Sequence, residues 1–189
     1  MDNSLVLGSL RRRLVALHSL YRDASSTMTL DHVNAVVQSG ALPIAFSWFH
    51  IINMMDASLM LLTGELPLWN DDWSARVNPS IADHGKHKTP EEMAGQRIGD
   101  LGAMVDYQEA VFDRTLAWID GLSEGDLHRV IFARPFPDQI ASTFSARVAD
   151  DVGITVLDGV ECWIYQHGMR HMGEIEYVRG LLGLGGMTS

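Results

Sequence analysis

The chain carries a single cysteine, Cys162, so no disulfide can form within it. A small core stapled by disulfides is therefore excluded, and the composition suits a reducing compartment. Basic residues are also scarce: 14 Lys and Arg against 24 Asp and Glu give a net charge of −10. A surface of that sign repels nucleic acid and anionic lipid, which makes both poor partners. Arg11, Arg12 and Arg13 form the one dense basic run, and it reads as a solvated face of the first helix. No Gly-rich phosphate loop, nucleophile elbow or Cys-rich zinc cluster occurs. Internal repeats and low-complexity tracts are missing as well. The N-terminus lacks the order of a secretory signal, because Asp2 and an apolar stretch precede the basic run. A cytoplasmic location is the expectation.

What is present is apolar content: 47% of the 189 residues are hydrophobic and 20% are charged. That balance allows one full core and argues for a single domain over residues 1–189. Residues 41–62 carry only one formal charge, Asp56, and are long enough to cross a bilayer. His50, Asn53 and Asp56 near the middle would each be costly facing lipid, so a buried helix is expected and no membrane partner.

Four long helical stretches, joined by two long loops, give an all-α expectation. The first covers residues 5–22, with Leu7, Leu10, Leu14, Leu17 and Tyr21 at spacings of three and four. Ser25, Ser26 and Thr27 interrupt it, and Thr29 or Asp31 can cap the next helical segment. The second covers 43–63, with Pro43 near its first turn and Gly64 as its stop. Pro67, Asn70, Asn78, Pro79 and Gly85 mark residues 65–88 as a loop, anchored by Trp69 and Trp73. The capping box Thr89-Pro90-Glu91-Glu92 opens the third helix, which turns Ile98, Leu101, Val105, Phe112, Leu116 and Ile119 inward and ends near Gly121. Residues 122–149 are irregular, with Val130-Ile131-Phe132 as a short strand cut off by Pro135 and Pro137. The fourth helix covers 150–182, ahead of a Gly-rich tail.

The fourth helix is the informative one. Its apolar stripe reads Leu157, Val160, Ile164, His167, His171, Ile175, Val178, Leu182. Two imidazoles four apart lie about 40° apart in azimuth and about 6 Å along the axis, so both can converge on one ion. The spacing by itself is common in a chain with eight histidines; its place on an apolar stripe gives it weight. Two buried rings without partners would cost on the order of 1–3 kcal/mol each, so either a metal or a set of hydrogen-bond partners is required. His50, among Phe46, Phe49, Ile51, Ile52 and Met54 on the second helix, is a third candidate ligand. Taken alone it reads as a satisfied core histidine. Neutral imidazoles favour zinc, nickel, copper or ferrous iron over calcium or magnesium. Three protein ligands would leave positions open to water or substrate.

The segment Trp163-Ile164-Tyr165-Gln166-His167-Gly168-Met169-Arg170-His171-Met172-Gly173-Glu174-Ile175, closing on Val178-Arg179-Gly180-Leu181-Leu182-Gly183, resembles the last helix of the DinB-like (DinB/YfiT-like) superfamily of metalloenzymes. Phe49-His50-Ile51 stands where that family has its earlier ligand, midway along the second helix. The resemblance covers about 25 residues of the last helix well and the second helix less fully. It implies an up-up-down-down four-helix bundle, a nickel- or zinc-type site on His50, His167 and His171, and a homodimer. It also implies thiol-dependent transferase or isomerase chemistry on a small molecule, with a low-molecular-weight thiol as cosubstrate. The loops at 65–88 and 122–149 match nothing in it, so it carries no substrate.

Glu174, three residues beyond His171, can be a fourth ligand, an acceptor that orients a metal-bound histidine, a proton carrier, or a surface charge near Arg170 or Arg179. Asn53 and Asp56 either bond to the site or pair within the core. His84 and His87 read as an exposed loop pair, with a mobile lid as the alternative. Trp48, Trp69, Trp73 and Trp163 read as packing, and Cys162 as a buried small hydrophobe. Three functions stay open: a metal-dependent enzyme (transferase, isomerase or hydrolase), a non-catalytic metal or small-molecule binder acting as a dimer, and a metal-free bundle with a buried polar network.

Overall fold

Helix propensity, capping and apolar spacing act together over most of the chain, and the computed structural model is mostly helical. It describes residues 5–38 and 40–185. Asp2 and the last residues of the Gly-rich tail therefore lie outside the described residues. Helix α1 spans Leu5–Ser26, four residues longer than the sequence predicts. Ser25, Ser26 and Thr27 do not break it, because their hydroxyls bond back to the carbonyls of Arg22, Asp23 and Ala24 in its last turn. Thr29 then caps the short α2, Leu30–Asn34, in a capping box closed by His32.

Helix α3, Ile44–Thr63, is the core element: Pro43 stands at its N-cap and Gly64, at φ 80°, ends it in the left-handed conformation. It is the one described helix long and apolar enough to cross a membrane, and most of it is buried inside the protein. Residues 65–88 are not the bare loop that their prolines and asparagines suggest. Asn70 caps α4, Asp71–Val77, whose first turn holds Asp71 and Asp72 against the positive end of the helix.

The Thr89 capping box is present, yet it opens only a single turn, α5, Pro90–Met93. The third long helix, α6, Leu101–Asp120, starts at a second cap, Asp100. The intervening backbone is diverted into tertiary pairing: Asn34 brackets the Ile98 peptide, and buried Gln96 brackets that of Ile81. The inward face of α6 is Met104, Tyr107, Gln108, Val111, Phe112, Thr115 and Ile119. Leu101, Val105 and Leu116, expected inward, are half-buried at its edge.

Residues 122–149 hold α7, Glu124–Leu127, strand β1, Val130–Ala133, α8, Asp138–Ala141, and α9, Phe144–Val148. The expected strand finds an antiparallel partner in β2, Gly153–Thr155. That partner occupies residues assigned from sequence to the fourth helix, which begins instead with α10, Val156–Gly159, capped by Thr155. A π-helical segment, Val160–Gln166, comes next and runs into α11, His167–Leu181. The wider turn of a π segment shifts the helix face. Val160, Ile164, Ile175 and Val178 are accordingly buried, while His167 and His171 fall on the flank of the stripe, half-buried.

Helix α3 packs against α6 and α11, and α1 packs against the same two. Their apolar faces form one contiguous core. Gly168 sits at the tightest crossing, where a Cβ would meet Leu17 Cδ2 at 2.6 Å and Met55 Cε at 2.8 Å. The absence of a side chain there brings α1 and α3 against the helix that carries the histidines.

Candidate metal centre

The packing of α3 on α11 brings three imidazoles together. The ring nitrogens of His50, His167 and His171 that could bind an ion all lie within 4.8 Å of one another. Ring centroids are 4.7 Å apart for His50 and His171, 4.7 Å for His167 and His171, and 5.4 Å for His50 and His167. His50 is buried, with Phe46 stacked on its ring at 5.4 Å.

The outer nitrogens of two rings are already engaged. His50 Nδ1 donates to the backbone carbonyl of His84, and His171 Nδ1 donates to Glu174 Oε2 at 2.7 Å. A proton on Nδ1 leaves the lone pair of a neutral ring on Nε2. His171 Nε2 lies 3.0 Å from His167 Nε2. Two nitrogens each about 2.1 Å from one ion, at an angle between tetrahedral and octahedral, are about 2.9–3.4 Å apart, so this spacing fits a shared cation. It equally fits one N–H donating to the other ring.

Burial favours the neutral form of His50 and His167, the form a metal requires. Burial pushes His50 down to about 4, against the raising effect of its bond to His84. Burial, then electrostatic coupling to nearby His171, His50 and Arg170, pushes His167 down to about 3. Burial opposes ionisation of Glu174, but hydrogen bonds from His171 and Ser47 hold its carboxyl below the usual range. Ser47 Oγ donates to the same Oε2 at 2.7 Å.

Glu174 is thus the acceptor that orients His171, and neither Arg170 nor Arg179 bonds to it among the described residues. Glu174 is nonetheless exposed, as a helix-surface charge would be, with His171 and Ser47 as its partners in place of an arginine. Asn53 and Asp56 pair within the core. Asp56 is fully buried and accepts from the amides of Leu68 (2.9 Å) and Trp69 (2.8 Å), the Tyr107 hydroxyl (3.1 Å) and Arg114 (3.3 Å). Asn53 donates to the same Tyr107 hydroxyl. Trp69 in turn donates from its indole to Ala82 O, two residues before the carbonyl that receives His50.

His84 and His87 are not brought into the inner triad as ligands; His84 reaches it through its main chain. Trp48 is buried and bonded to Gln108, and Trp69 and Trp73 pack on Tyr107. Trp163 packs edge-on against Phe132. Cys162 is buried, and burial together with Asp158 and Glu161 pushes its thiol up to about 11, which leaves it a poor nucleophile. Arg11 and Arg13 are drawn into ion pairs with Asp120 and Glu161. Two open cavities, of about 580 and 390 Å³, lie elsewhere, at α4 and at the end of α3, and no histidine lines either.

Sequence reasoning missed Ser47, the His84 carbonyl and His18. Ser47 carried a usable signal, a hydroxyl three residues before His50 in the mostly apolar first half of its helix. A backbone carbonyl carries none. His18 is fully buried in α1, stacked on Phe112 at 3.8 Å, with neither ring nitrogen hydrogen-bonded among the described residues.

No family model and no curated protein matches the chain. A solved structure from Enterococcus faecalis, described as the conserved protein of a locus, superposes with a TM-score of 0.74 at 19% identity. The match covers 93% of this chain and 96% of that one, and at this identity it speaks for the fold alone.

Proposed function

We propose that the chain is a divalent-metal-binding protein of the DinB-like superfamily, an up-up-down-down four-helix bundle that holds its ion on His50, His167 and His171. One observation carries this reading. Three imidazoles from two helices converge within 4.8 Å, and two of them have the outer nitrogen already held by an acceptor. Carboxylate and carbonyl acceptors of this kind fix the tautomer and orientation of metal-bound histidines. Zinc or nickel suits the donor set.

A bound divalent ion would supply Lewis-acid polarisation and a lowered pKa for a water or thiol at its open positions. The chain's own groups do the rest. Glu174 holds the His171 ring through Oε2, and its half-exposed carboxylate is placed to take a proton. Phe46 covers one face of His50 and keeps water from it. The activity proposed is thiol-dependent transfer or isomerisation, or hydrolysis, of a small molecule by a cytoplasmic homodimer, with a low-molecular-weight thiol as the cosubstrate of the first two. The alternative is a non-catalytic metal or small-molecule binder acting through its dimer surface. A metal-free reading draws on the 3.0 Å contact between His167 and His171, which would satisfy both rings as a plain hydrogen bond.

Elemental analysis of protein purified without a histidine tag separates these readings. The proposal expects about one transition ion per chain in the triad, lost in His167→Ala. Full metal content in that variant would sink the assignment. Turnover of electrophilic substrates with thiols, abolished by chelation and restored by metal, would then favour the enzyme over the binder.

A further inference from the structure

Outside the triad, one more cluster of metal-binding side chains lies among the described residues: Asp83, His84 and His87, whose ligand atoms also fall within 4.8 Å of one another. We propose that residues 83–87 form a second, outer cation site that takes a divalent transition ion on these three side chains. Two imidazoles and a carboxylate suit zinc, nickel or copper better than calcium or magnesium. The His84 and His87 rings are 6.2 Å apart between centroids, and Asp83 Oδ2 is 3.9 Å from His87 Nε2. The chain's net charge of −10 favours cation capture at its surface.

The backbone holds these donors in place although the loop is at the surface. Asp83 Oδ1 accepts from the Gly85 amide at 2.7 Å, and Lys88 N donates to Gly85 O at 2.9 Å. Gly85, at φ +67°, is buried with its Cβ position 2.8 Å from the Phe46 ring, so the loop is seated on the same phenyl group that stacks on His50. The lone pair at His84 Nδ1 now accepts from the exposed Lys86 amide at 3.1 Å. An ion would replace that amide, which then turns to water. His84 thus faces two ways: its carbonyl receives His50 Nδ1, while its ring, 6.5 Å from the His50 ring, belongs to the outer cluster. An ion on the outer site would steady the peptide that orients His50, a coupling that rests on the reading of the inner triad, whereas the outer site itself does not.

The test is zinc stoichiometry by equilibrium dialysis of tag-free protein, with circular dichroism to verify folding. Wild type should bind two ions per chain and His167→Ala one. Adding Asp83→Asn and His87→Gln to His167→Ala should abolish the remaining one. Should His167→Ala not fold, Asp83→Asn with His87→Gln in the otherwise wild-type chain should lower two ions to one. A single wild-type ion, lost in His167→Ala and indifferent to the loop substitutions, overturns the outer site and leaves the inner one standing. A single ion lost through the loop substitutions alone supports the outer site and removes the inner one.

Discussion

Replacing Glu174 tests whether the triad is a metal centre and not a histidine cluster of another kind. Oε2 accepts two hydrogen bonds, from His171 Nδ1 at 2.7 Å and Ser47 Oγ at 2.7 Å, and its negative charge strengthens both. Glu174→Gln keeps an acceptor oxygen but loses the charge, so zinc affinity should fall about tenfold, or about 1.4 kcal/mol. Glu174→Ala removes the acceptor and frees the ring to rotate, which should cost toward a hundredfold, about 2.7 kcal/mol. Ser47→Ala leaves the His171 bond in place and should weaken binding by no more than roughly threefold. Because half of the Glu174 side chain is exposed, stability of the metal-free protein should move by less than about 1 kcal/mol in each variant. Competition titration against a coloured chelator reads the affinities, and thermal unfolding of the apo form reads stability. If Glu174→Ala bound zinc as wild type does, His171 would not be a ligand oriented by this carboxylate, and the triad would lose one of its two supports.

Asp56 should be a structural keystone. Removing a fully buried carboxylate strands Arg114 and two loop amides, so Asp56→Ala should cost about 3–5 kcal/mol in urea unfolding; a loss under about 1 kcal/mol would refute that assignment. His18 should be dispensable. Its two unpaired nitrogens carry a penalty of about 1–3 kcal/mol that outweighs the stack on Phe112, so His18→Leu should be neutral or stabilising at pH 7. The same ring adds to the acid sensitivity that His50 and His167 also confer. Burial, with Arg22 nearby, pushes its pKa down to about 3, below the unfolded value near 6.5. The unfolded state therefore takes up the proton first, and stability held above pH 6.5 drains as pH falls toward 3. His18→Leu should make that slope shallower by about 1.4 kcal/mol per pH unit between these values, and an unchanged slope would show that another group sets it. Gly85→Ala forces a side chain into a left-handed position against Phe46, at a cost of at least about 1–2 kcal/mol in thermal unfolding; wild-type stability would mean the loop is not seated there.

The long helices were legible because each is specified locally. Apolar spacing and terminal caps decided α1 and α3, and Gly64 ended α3 where its φ demanded. The errors fall where a tertiary bond outcompeted a local signal. The Thr89 box is a true cap, yet Ser80 and Asn34 engage the backbone of Arg97 and Ile98 beyond it and the helix must restart at Asp100. Residues 153–155 looked helical because they precede a long helix, but β1 needed an edge partner, and Gly153, at φ 133°, lies against Phe132 and Ala133 where no side chain would fit. Pairing of that kind leaves no periodic trace in a single sequence.

The candidate site divides along the same line. Side-chain donors with a helical interval between them could be read: His167 with His171, and Glu174 one turn on. What orients them could be read only in part, because His50 is held by a peptide carbonyl thirty-four residues away. The half-buried place of the two helical histidines also depends on the π segment before them, and no apolar spacing announces it. That placement bears on chemistry. Rings at the centre of the stripe would be sealed from solvent, whereas on its flank they are only half-buried. The flank also lets Glu174 meet His171 from the wet side, while His84 meets His50 from the loop. On the proposed reading, the carboxylate at His171 and the loop carbonyl at His50 hold two ligand rings oriented before an ion arrives.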